Sequence, residues 1–364
     1  KTQEDAATFL AELRHKTYLQ YSGKSNEYDL SGIYRKHEQL FSARTICEIL
    51  EVYHGSKDKQ TKYLLKFLLE GHIGEAVKEI DAQIAQAEVQ GSICLDGEQI
   101  PYRQVLSMLF NTENADKRHQ IDQLRRDFIH QFNEKRQARI EIVNDKASFF
   151  GYTNYATLNE EFKEVCMKTQ FAECIQLLNS TADTYHKELA FYTSQAGIQP
   201  ETAQRSDMFM LARASDYDTY FPAQRLFPCL ENTLSDLGIE LDQQKNILVD
   251  VEDRPGKAAR PFCVAVDTPD DIRLVFKTRG GREDYVNLFH EMGHAQHFGH
   301  IDASLPIEYK TLGDYAVTEG IAYLFQSLIS NPFWLERHLK IRDDDLAGYI
   351  RLADFLKLYL MRRY

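Results

Sequence analysis

The sequence predicts a mainly α fold in two packed lobes, with a small β-hairpin braced against the helix that carries its most reactive side chains. Three observations lead there. Apolar residues recur at helical spacing through most of residues 1 to about 205, for example over Phe41 to Tyr53, Tyr63 to Val89 and Ala115 to Phe149. Two β-rich runs, Pro261-Phe262-Cys263-Val264-Ala265-Val266 and Ile272-Arg273-Leu274-Val275-Phe276-Lys277, flank Asp267-Thr268-Pro269-Asp270-Asp271, whose residues favour a turn. After a break at Gly280-Gly281, His290-Glu291-Met292-Gly293-His294 falls within another helical pattern.

The 364 residues are enough for a large core and contain no Pro/Gly/Ser tract, internal repeat or low-complexity block that would mark a linker. The reading is therefore of two lobes packed together, an N-terminal helical lobe at 1–205 and a second lobe at 206–364. In the first lobe, Ser92 to Ile100 reads as a turn or small hairpin. The mixed-sign runs Asp116-Lys117-Arg118 and Arg125-Arg126-Asp127 read as solvated helix faces.

Composition narrows the function. A net charge of -12 argues against a nucleic-acid binder, which needs a basic surface, and would favour cationic ligands. The six cysteines form no C-x-x-C pair and no dense framework, which suits reduced thiols and a cytoplasmic location. No run of apolar residues is long enough for a membrane span, so no membrane partner is expected.

In the helix before His300, residues four apart share a face, so His290 and His294 can reach one ion while Glu291 flanks the same opening. That arrangement suits one Zn2+ ion that activates water, with Glu291 as the catalytic general base. Tyr285, Leu288, Phe289, Met292, Ala295 and Gln296 supply the stripe that buries the opposite face. Gly293 is a poor helix residue, so its place between the two histidines predicts a close approach to the backbone there.

Two residues compete to be the third ligand. His300 has the spacing of His-Glu-x-x-His-x-x-Gly-x-x-His, but His297 stands where the glycine should be and no later methionine sits in a turn. Glu319 is the stronger candidate, on a second helix whose core stripe is expected to be Val317, Ile321, Leu324 and Leu328. Glu319, Tyr323 and Gln326 share another face. His297 reads as an ordinary helix residue or a cleft lining, and His15, His37, His119 and His186 as surface or satisfied core residues. The β-run beside the metal helix could hold an extended peptide by backbone hydrogen bonds, or simply brace the helix.

Four stretches together resemble the M3 family of zinc oligopeptidases, that of thimet oligopeptidase and oligoendopeptidase F. They are Asp253-Arg254-Pro255-Gly256-Lys257-Ala258-Ala259-Arg260-Pro261-Phe262-Cys263, Phe289-His290-Glu291-Met292-Gly293-His294-Ala295, Val317-Thr318-Glu319-Gly320 and Phe150-Gly151-Tyr152-Thr153-Asn154-Tyr155. The resemblance implies a gluzincin, a zinc metallopeptidase in which His290, His294 and Glu319 bind zinc and Glu291 is the general base. It also implies a helical fold with a channel that admits short peptides. In that family, Tyr and His residues that stabilise the oxyanion come from well beyond the Glu ligand. The chain stops at Tyr364 in an uncapped helical pattern, so the catalytic lobe is expected to be truncated at its C-terminus, with reduced or no activity. Tyr309, Tyr315 and His300 are possible local substitutes. Endopeptidase and carboxypeptidase action both remain open.

Overall fold

Helical periodicity turns into helices where it was expected. The computed structural model describes residues 1–25, 30–199, 201–254, 256–258 and 260–363. The patterns at Phe41 and Tyr63 become helices Ala43–Ser56 and Lys59–Gln90. The long pattern from Ala115 becomes two helices, Ala115–His130 and Asn133–Phe149. No described helix is long and apolar enough to cross a membrane.

Contacts divide the chain into two compact units, Lys1–His72 with Ser215–Ile350, and Ile73–Ala214 with Arg351–Tyr364. The boundary expected near 205 falls within the second unit, shortly before the chain returns to the first.

The second unit contains an antiparallel hairpin of β1 (Ser92–Leu95) and β2 (Glu98–Pro101). Asp96 and Gly97 join the strands with φ of 51° and 88°, the conformation that a two-residue hairpin turn needs and that glycine adopts without strain. Ile93 and Leu95 face a core of Val105, Leu109, Ile121, Phe128 and Phe132. Further along, Asn154 caps helix Tyr155–Lys163 reciprocally with Thr157.

Of the Asp116–Arg118 run, Asp116 and Lys117 are exposed as expected, but Arg118 is not. Arg118 is fully buried, bonded to Asp207 and to the carbonyls of Thr112 and Glu113, and Asp207 also accepts from His119 and the Gln204 N–H. A charge read as exposed is buried, paired with a carboxylate 89 positions away that local sequence cannot announce.

In the first unit, β3 (Ile247–Asp250), β4 (Phe262–Asp267) and β5 (Asp271–Val275) form one sheet in the order β3-β5-β4. β4 and β5 are the expected hairpin. β3, which the sequence did not announce, adds parallel to β5 with Ile247 opposite Ile272. The loop after β3 is fastened by Lys257, whose buried ammonium donates to Asp250 O at 2.9 Å, Asp250 Oδ1 at 3.0 Å and Glu252 O at 2.7 Å. Pro255 and Ala259 of that motif lie outside the described residues.

The helix Arg282–Gly299 carries the His-Glu-x-x-His motif, and all six residues of its expected apolar stripe are buried. Tyr285 meets Phe221 edge-on and Phe289 meets Trp334 likewise, with ring centroids 5.2 Å apart in each pair. Gly293 faces the backbone of helix Tyr315–Ser327: a Cβ there would lie 2.6 Å from Ala322 Cα and 3.0 Å from Ile321 O.

That contact also corrects the expected core stripe of the second helix. Thr318, Ala322 and Phe325 are buried, whereas Val317 and Leu324 are each 61% exposed. The small residues at 318 and 322 are the ones that let the two backbones approach.

Two predictions follow from this packing. Gly293→Ala should lower stability by roughly 1–3 kcal/mol through overpacking, even though alanine improves helix propensity by about 1 kcal/mol; an unchanged urea midpoint would show that the helices separate freely. Asp207→Asn should cost about 3–5 kcal/mol at neutral pH by leaving Arg118 buried without its counter-charge. Burial alone would raise the Asp207 carboxyl, but hydrogen bonds from Gln204, Arg118 and His119 outweigh it and hold it below the ordinary value. Its stabilisation is therefore complete above the unfolded-state pKa of about 3.9 and lost as pH falls through the lower folded-state value. Urea unfolding of wild type and variant should begin to converge below about pH 4 and coincide only once the pH is below the folded-state value.

Candidate metal centre

His290 and His294, one helical turn apart, present their rings side by side, and the neighbouring helix brings Glu319 over them. The two Nε2 atoms are 3.2 Å apart, His290 Nε2 lies 3.6 Å from Glu319 Oε2 and His294 Nε2 lies 3.7 Å from Glu319 Oε1. Candidate ligand atoms of the three residues fall within 4.8 Å of one another. Two nitrogens sharing a tetrahedral zinc at ~2.0–2.1 Å would stand about 3.3 Å apart, so the spacing suits such an ion.

The rings are held from behind. His290 Nδ1 bonds Gln326 Oε1 at 2.9 Å and His294 Nδ1 bonds Thr318 Oγ1 at 2.8 Å. A carboxamide oxygen only accepts, so His290 carries its hydrogen on Nδ1 and keeps the Nε2 lone pair for a ligand. Burial, followed by the neighbouring His290, lowers the pKa of His294 and favours the neutral ring that a metal needs. The donor set, its spacing and its tautomer therefore fit a zinc ion.

Glu291 is half-buried against β4. Its Oε2 accepts the Cys263 N–H at 2.8 Å, and burial pushes its carboxyl up to about 7, opposed by that hydrogen bond and by Arg260 and reinforced by Glu319. A cleft of about 230 Å³ is lined by Glu291, His294, Thr318 and Glu319 together with β4, Phe298, Tyr315 and Arg14.

The rival ligand is turned elsewhere. His300 Nδ1 bonds Gln296 O at 2.7 Å and its Nε2 lies 3.2 Å from Gln244 Nε2. His297 is one turn beyond His294, with a buried Nδ1 that has no hydrogen-bond partner among the described residues. Of the suggested oxyanion substitutes, Tyr315 lines the cleft, while Tyr309 packs edge-on against Tyr63. Sequence reasoning overlooked Thr318 and Arg14 and gave Gln326 no task. The signal for the first and last was present, since both lie on the Glu319 helix at positions that face the histidines. Arg14 had no such signal.

Among solved structures, the chain is similar to PZ peptidase A, determined with an inhibitor, at a TM-score of 0.60 and 12% identity over 99% of this chain and 66% of that one. It is similar also to a chain assigned as an oligoendopeptidase F from Bacillus anthracis str. Ames, at 0.54 and 14% identity over 94% of this chain and 63% of that one. The chain thus spans just under two thirds of the length of either protein. No protein-family model and no curated protein matches it. What it shares with these two structures is their predominantly helical peptidase fold.

Proposed function

We propose that the chain is a zinc-dependent peptidase that hydrolyses short peptides, with His290, His294 and Glu319 holding the ion and Glu291 as general base. The observation that carries this reading is the convergence of two Nε2 atoms and a carboxylate within 4.8 Å, beside a second carboxylate that is no part of the group. When bound, zinc supplies Lewis-acid polarisation of the peptide carbonyl and acidifies water. Glu291 takes the proton of the attacking water and delivers it to the leaving amine nitrogen. The likeness in fold to two peptidases supports the same reading.

β4 supports it as well. It is an edge strand, and the bond from Cys263 N to Glu291 leaves on the side away from β5. Residues two apart face the same way, so Cys263 and Ala265 both turn backbone groups to that edge; with the Cys263 N–H on Glu291 and the Ala265 carbonyl on Arg14, the Cys263 carbonyl and the Ala265 N–H are left for an extended peptide.

Elemental analysis of the purified chain is the direct test. About one zinc per chain is expected, lost or weakened in Glu319→Ala. If that variant keeps zinc unchanged, the third donor lies elsewhere; if the unaltered chain holds none, the metal reading fails. Glu291→Gln should retain zinc while turnover of a blocked peptide falls by about 10²–10⁴-fold. Normal turnover in that variant would remove Glu291 from the chemistry.

A further inference from the structure

Arg14, on helix Thr2–Tyr21, lines the same cleft as Glu291, His294 and Glu319. Its Nη1 donates to Ala265 O at 3.1 Å, and the hydroxyl of Tyr315 faces it. Both neighbours are neutral. Arg118, Arg254, Arg273 and Arg282 each hold a carboxylate, whereas among the described residues none pairs with Arg14. Burial draws the Arg14 pKa below its ordinary value and Tyr315 only partly offsets this. The guanidinium nonetheless stays charged, and its remaining N–H groups suit a carboxylate taken by two parallel bonds.

β4 supplies the spacing between this cation and Glu291. Cys263 N–H meets Glu291 and Ala265 O meets Arg14, two strand residues or about 7 Å apart, on one edge. An extended peptide along that edge, with the bond to be cut at the Glu291 end, reaches Arg14 one or two residues later.

We propose that Arg14 binds the C-terminal carboxylate of the substrate, so that the site releases one or two residues from the free C-terminal end of short peptides. The cleavage half of this inference rests on the peptidase reading; the recognition half does not. Water supplies a hydroxyl to the carbonyl carbon and a proton to the amine nitrogen as the C–N bond breaks, so no other reactant is needed.

The test uses the zinc-loaded chain and three N-acetylated peptides: an alanine tetrapeptide with a free C-terminus, the same peptide amidated, and an amidated analogue with Glu as its last residue. Affinities are measured by calorimetry on Glu291→Gln, so that hydrolysis does not intervene, and product masses on the unaltered chain. The free acid should bind roughly 10–100-fold more tightly than the amide. Adding Arg14→Gln should bring the two within about twofold while zinc content and unfolding midpoint stay unchanged. Cleavage should release alanine or dialanine.

Equal affinity for acid and amide would overturn the proposal, as would a preference that survives Arg14→Gln. Equal binding of the Glu amide would overturn the terminal part, by making any carboxylate sufficient. Acid-selective binding that needs Arg14, without cleavage by the unaltered chain, would uphold recognition and sink the peptidase reading instead. If Arg14→Gln does not fold, the acid-to-amide ratio of the Arg14-bearing chain decides alone.

Discussion

The contact of Gly293 with the backbone at Ile321 and Ala322 is the constraint on which the candidate site depends. Helices packed through ordinary side chains run 8–10 Å apart, and a Cβ at 293 would push these two towards that spacing. Close approach lets the short hydroxyl of Thr318 reach His294, lets Gln326 reach His290, and brings a carboxylate from one helix to imidazoles on the other. One missing side chain thus sets three relationships at once. The cost of glycine inside a helix is offset by the aromatic packing around Tyr285 and Phe289, which holds the helix along its length.

The sheet contributes position rather than bulk. β5 is covered on both edges by β3 and β4, and the loop from β3 to β4 is tied back by an ammonium that satisfies three acceptors. Those three bonds pin Lys257 to the end of β3, through Asp250 and Glu252. β4 then meets a carboxylate from the motif helix and a guanidinium from the N-terminal helix. Segments far apart in sequence meet along one strand edge, which is why the cleft has walls of differing charge.

What was legible in the sequence was whatever local geometry decides. The stripe from Tyr285 to Gln296, the hairpin of β4 and β5, the pairing of His290 with His294 and the oddity of Gly293 all follow from spacing within one element. β3 was invisible because a four-residue strand gains its identity only from a parallel neighbour, and Ile247 has no local mark of facing Ile272. The face of the Glu319 helix was misjudged because periodicity weighs large apolar residues, whereas this face was chosen by small ones. Arg118 looked solvated because Asp207 is 89 positions away. Arg14 was silent because its partner in the fold is a backbone carbonyl, which every residue possesses.

Neither group behind the imidazoles carries a charge: one is a carboxamide and the other a hydroxyl. With Glu319 as the single anionic donor of the proposed site, a divalent cation there would keep a formal positive charge while Glu291, pushed up to about 7, holds its proton, and would lose that charge as Glu291 ionises. A carboxylate behind either ring would make the imidazole a stronger donor and add a negative charge of its own. With a carboxamide and a hydroxyl there instead, the outer partners aim the rings and would strengthen them as donors less than a carboxylate would. The charge left around such an ion would then rest with Glu291, not with the groups behind the rings.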